Sequence, residues 1–118
     1  MLTFEGEPDT LSMKTQSRKY LLIVAATLYA IDSKQNVKTI EGKIKISNES
    51  LFFVATSKTD RLYKLEIPIN SIVDMIKKNS LGFIPNILIF KTSQSDYKFA
   101  VYAREQVVRL VMQLKNKT

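Results

Sequence analysis

The chain of 118 residues has no cysteine, no histidine, and only three glycines and three prolines. Without cysteine there can be no disulfide and no thiolate metal site. Without histidine, the commonest general base and the commonest transition-metal ligand are both missing. Catalysis would have to rest on carboxylates, lysines or hydroxyls. Asp60, Glu66 and Asp74 are scattered beside bases or turns, and nothing pairs them for acid–base work. Three glycines leave no Gly-rich phosphate loop. The expectation is a non-catalytic chain with no cofactor and no metal.

A long hydrophobic run is lacking too. Tyr20–Ile31 (YLLIVAATLYAI) has 12 residues, against about 20 needed to span hydrocarbon. Arg18-Lys19 before it and Ala25-Ala26 within it imitate a signal peptide, but Asp32-Ser33-Lys34 follows where a cleavage site would be. A buried strand is the better reading. Helix is the competitor, since Leu and Ala are good helix formers. The cytoplasm is the expected location, with peripheral attachment to a membrane as its variant.

What the chain does have is an excess of base. Its 18 Lys and Arg against 11 Asp and Glu give +7. Residues 1–13 hold Glu5, Glu7 and Asp9 and no base, so the remaining 105 residues carry 18 bases and 8 acids, a net +10. Such a field favours anionic partners. The plainer reading is that lysines keep a small β-rich domain soluble and guard its strand edges.

Residues 1–17 are polar and aperiodic, and are expected to form a loose arm before one domain over 18–118. Val37–Ser47 alternates, with Ile40, Ile44 and Ile46 against Lys43 and Lys45, and Gly42 suggests a bulge or a close backbone approach. Ser47–Ser50 reads as a hairpin turn, Leu51–Ala55 as the returning strand, and Ser57–Arg61 as the next turn. Leu62–Ile69 places Leu65, Ile67 and Ile69 inward, and Pro68 marks a strand end or an edge. Asn70–Lys78 reads as a short strand or an irregular turn, and Asn79–Asn86 as a loop. Ile87–Thr92 and Tyr97–Ala103 form a last hairpin. From Arg104 to Lys115 the spacing predicts a helix with Val107, Val108, Val111 and Leu114 on one face. Arg104, Glu105, Arg109, Gln113 and Lys115 take the other. The fold class is therefore α+β and mostly β. It would be a curved antiparallel sheet or open barrel of about six or seven strands, plugged at its open end by one C-terminal amphipathic helix. That is the build of a small binding module.

Glu41–Phe53 (EGKIKISNESLFF), Ile67–Asp74 (IPINSIVD), Asn86–Phe90 (NILIF) and Tyr97–Phe99 followed by Arg104–Val111 match, in order and spacing, a known pattern. Val37–Lys115 resembles the pleckstrin-homology-like domains, particularly the GRAM branch and its bacterial and archaeal relatives. Gly42–Ser47 and Ile67–Asp74 are also similar to the opening of archaeal chemotaxis adaptors of the CheF type. These resemblances imply a PH-like fold and an adaptor role in a signalling or motility assembly.

Three surfaces compete as the binding site. Lys77 and Lys78 precede Leu81, Phe83 and Ile84 on a loop, a combination that could seat a protein partner or enter a membrane interface. The plainer alternative is that Phe83 and Ile84 fold back onto the core. Lys43, Lys45, Lys58, Arg61 and Lys64 form a basic set near the early turns. The resemblance implies that such a set holds anionic lipid, although the compact phosphate motif of lipid-binding members is absent. Tyr97-Lys98-Phe99 with Arg104 alternates aromatic and base as nucleic-acid platforms do, but its period of two is that of a buried strand face. A protein partner at a sheet edge or at the Leu81–Ile84 loop is the leading expectation. Anionic membrane is second and nucleic acid last.

Overall fold

A computed structural model of the chain describes residues 19–31, 34–56 and 63–116. Seven strands and one helix follow one another: β1 Leu22–Ile31, β2 Val37–Ile46, β3 Ser50–Ala55, β4 Lys64–Pro68, a single 3₁₀ turn Ile69–Ser71, β5 Ile72–Ser80, β6 Ile84–Thr92, β7 Asp96–Val101 and α1 Arg104–Asn116. The expected arm at 1–17 and the turn at Ser57–Arg61 lie outside the described residues.

The strands form one antiparallel sheet in the order β4-β3-β2-β1-β7-β6-β5. The first four strands are a meander. β1 then pairs on its other side with β7, through Ala26↔Val101 and Leu28↔Phe99. The Tyr20–Ile31 run is thus a strand from Leu22 onward, and a central one, but only one of its faces is buried: Ile23 and Ile31 are exposed. Val24, Ala26 and Leu28 point inward at period two.

Ile40, Ile44 and Ile46 of β2 are buried, as their alternation predicts. Between them Gly42 is a close approach and not a bulge, because the β1–β2 register runs unbroken from Leu22↔Ile46 to Ile31↔Val37. A Cβ on Gly42 would sit 2.3 Å from the Val54 carbonyl oxygen and 2.8 Å from the Phe53 ring. That ring is fully buried and lies 5.5 Å from Phe99, which lies 5.8 Å from Phe90 in an edge-on contact. Tyr97 packs against this core and Phe99 is within it. These aromatics are therefore packing residues and not a stacking platform for bases.

Helix α1 closes the open side of the sheet with Val107, Val111 and Leu114, all buried, and Val108 half-buried beside them. Ile69 and Ile72 are buried in the same cluster, at the bend that joins the two ends of the sheet. Of the segment Asn70–Lys78, Asn70 and Ser71 belong to the 3₁₀ turn, and the strand runs from Ile72 to Ser80, two residues further than the segment. Register shifts between Ile72 and Asp74 and between Lys78 and Ser80 break its alternation. The expected loop at Asn79–Asn86 shrinks accordingly to the turn Leu81–Phe83.

Candidate recognition surface

The corner built by β5, β6 and α1 gathers most of the unusual features. α1 lies along β5 in the opposite direction and is fastened at both ends. At its first residue, Arg104 Nη1 donates to the carbonyl oxygens of Lys78 at 2.8 Å and Ile87 at 3.3 Å. These two residues are register partners beside the second shift of β5, so one guanidinium bridges both strands where their ladder loosens. At the far end of the helix, Lys115 Nζ donates to the Ile72 carbonyl oxygen. Periodicity put both bases on the solvent face of the helix. The structure instead turns their long side chains onto β5, and Arg104 is only 11% exposed. Glu105 joins the same corner, 3.4 Å from Lys77 and 3.4 Å from Arg104.

Between these fastenings a groove of about 410 Å³ runs along the free side of β5. Its walls include Val73, Met75, Val108 and Met112. Val73 is 66% and Met112 53% exposed. Nothing in the residue pattern marks Met112 as a surface feature, since it belongs to neither the apolar stripe nor the charged face.

Beyond Lys78 the β5–β6 hairpin ends in Ser80-Leu81-Gly82-Phe83. Leu81 is 80% and Phe83 73% exposed, and Ile84 is exposed as well. Phe83 does not fold back onto the core. The turn explains why: Phe83 N–H closes it on the Ser80 carbonyl oxygen at 3.1 Å, and its two central residues, Leu81 and Gly82, have φ of 53° and 81°. A hairpin this tight directs its tip away from the sheet. Of the five loop residues singled out in the sequence, Leu81, Phe83 and Ile84 thus come together at the tip. Lys77 sits on the helix side, held by Glu105, while Lys78 is on the opposite face.

The basic set is only partly assembled. Lys43 and Lys64 lie in one cross-strand row with Val54 between them, and Lys45 is two residues along the same strand face. Glu41 and Glu66 share that face, which alternates charge. Lys45 Nζ sits over the Tyr20 ring at 5.4 Å, so part of its stem and charge are engaged. Lys58 and Arg61 lie outside the described residues.

Four carboxylates have structural partners. Glu66 accepts from Ser50 Oγ at 2.7 Å, Asp74 accepts from Met75 N–H at 2.8 Å, Asp96 lies 3.7 Å from Lys91, and Glu105 is paired as above. Among the described residues no group of three or more carboxylates could hold a metal, and no helix is long and apolar enough to cross a membrane.

No protein-family model matches the chain, and no curated protein matches it. Solved structures do. The C-terminal domain of an unknown protein from Leishmania infantum superposes with a TM-score of 0.69 at 18% identity, covering 85% of this chain and 86% of that one. The N-terminal PH domain of human ARAP2 superposes with a TM-score of 0.57 at 14% identity, covering 80% of each chain. The fold is pleckstrin-homology-like. Identity this low establishes the PH-like architecture alone. The segments that carry the sequence resemblance are consistent with that, because Ile44, Ile46, Leu51, Phe53, Ile67, Ile69 and Ile72 are all core.

Proposed function

We propose that this PH-like chain is a non-catalytic adaptor module that recognises a protein partner along the groove between β5 and α1. The observation that carries the reading is the exposure of Val73 and Met112 across a groove that the helix fastens open at both ends. Val73 and Met112 line one groove together with Met75 and Val108, and contiguous apolar exposure of this kind suits a contact surface. Methionine suits such a surface because its flexible, polarisable side chain adapts to a partner. Fastening by Arg104 and Lys115 limits the reorganisation that binding would cost.

The structural engagement of Glu66, Asp74, Asp96 and Glu105 supports a non-catalytic role. A signalling or motility assembly is the setting that the likeness to GRAM-type domains and chemotaxis adaptors suggests. The interleaving of Glu41 and Glu66 among Lys43, Lys45 and Lys64 weighs against that face as the main anion site.

Selection from a displayed peptide library tests the reading. Peptides with apolar anchors should be enriched on the wild-type chain and not on a Val73→Asp, Met112→Glu variant. Equal enrichment on both would contradict it.

A further inference from the structure

The hairpin tip raises a question that the groove does not answer. Its turn needs positive φ at two successive residues, an arrangement that favours Asn-Gly or Asp-Gly. The chain has Leu81-Gly82, with Leu81 at φ 53°. Leucine is disfavoured in that region by contact between its Cβ and the backbone. Nor does packing compensate, because the Leu81 side chain is 80% exposed. Leu81 is thus unfavourable for the turn and idle in the core, and the same tip exposes Phe83 and Ile84. Residues that cost local stability and return nothing within the fold point to a contact outside it.

The charge around the tip says what kind of contact. At the root of the tip stand Lys77 and Lys78, with no acid between Met75 and Ser95, while Lys91 lies at the far end of β6, opposite Asp74 and beside Asp96. Glu105, the acid held at the root of the hairpin, is already matched by Lys77 and Arg104. Tyr102, 77% exposed, lines one shallow cavity with Pro85 and Asn86 of the hairpin. An apolar tip, a basic root and an amphipathic aromatic ring beside them match the layers of a bilayer surface: acyl boundary, anionic headgroups and interface. The turn carries its own Ser80–Phe83 backbone hydrogen bond, and entry only to the headgroup–acyl boundary leaves its other backbone groups within reach of water.

We propose that the β5–β6 tip is a membrane wedge: Leu81, Phe83 and Ile84 enter the headgroup–acyl boundary of an anionic bilayer, with Lys78 above them at the headgroups. The site is separate from the groove, so the two readings stand or fall independently.

The chain has no tryptophan, so Phe83→Trp places a single reporter at the tip. The probes are phosphatidylcholine vesicles with and without phosphatidylserine at physiological salt. The wedge predicts a blue shift on the phosphatidylserine vesicles, together with quenching by lipids brominated near the headgroup. Adding Leu81→Asn to the reporter chain leaves the turn at least as stable, and should lower the partition coefficient about tenfold, as expected for losing one inserted aliphatic side chain. Lys78→Glu should lower it by at least about fivefold, since each basic residue at an anionic surface contributes about 1 kcal/mol. Emission unchanged on every vesicle would overturn the wedge and return the tip to a protein partner. Sedimentation that responds to Lys78→Glu but not to Leu81→Asn would overturn it too, because the chain would then be adsorbed by charge without insertion.

Discussion

The guanidinium of Arg104 donates from one nitrogen to the carbonyl oxygens of both Lys78 and Ile87, 26 and 17 residues away in the chain. That single side chain joins the start of the helix to the root of the β5–β6 hairpin, so the groove and the tip share one support.

Arg104→Met should remove both bonds while keeping most of the side-chain packing. The expected loss is about 1–2 kcal/mol. The lower part of the range for charged hydrogen bonds applies because the buried Nε–H has no acceptor, and its removal relieves a cost. Arg104→Lys should not restore the stability, since the lysine side chain is one atom shorter and leaves its ammonium short of the two carbonyls that Nη1 reaches. Urea unfolding of the three proteins checks both statements.

Gly42→Ala should destabilise by about 1–3 kcal/mol through overpacking. The added methyl would meet a backbone carbonyl at 2.3 Å and a buried ring, neither of which can swing aside. Thermal unfolding measures the effect.

Val111→Ala should cost about 1–3 kcal/mol, since Val111 is fully buried where the helix closes the sheet. By contrast, Glu105→Gln should shift stability by no more than about 1 kcal/mol, because the carboxylate is more than half exposed in its pairs with both Lys77 and Arg104. Chemical denaturation of these two variants side by side tests whether packing or surface pairing holds the helix in place.

Leu81→Asn should raise stability by about 0.5–1 kcal/mol, because asparagine tolerates the left-handed region that leucine resists. A lower melting temperature would mean that Leu81 packs on something within the fold.

Much of this architecture was legible in the residues. The alternation of Ile40, Ile44 and Ile46, the Pro68 stop and the helical stripe Val107, Val111 and Leu114 report local burial, which period two and period 3.6 encode directly. β5 was less legible, because its register shifts place neighbouring residues off the alternating pattern and Lys77-Lys78 resembles a turn. The bridging of Arg104 was invisible for a different reason. Its acceptors are backbone carbonyls brought near by pairing of distant strands, and no side-chain pattern marks them. Leu81, Phe83 and Ile84 could be singled out as apolar residues in a loop, but only the turn geometry directs them outward instead of back onto the core.

The groove between β5 and α1 is the central claim. Its most direct test is titration calorimetry of a selected apolar peptide against the wild-type chain and against Val73→Asp, Met112→Glu, with circular dichroism to confirm that both are folded. The groove reading predicts an affinity loss of at least about tenfold in the folded variant, consistent with losing two apolar contacts. Equal affinity for the two folded proteins would place the partner elsewhere and contradict the account.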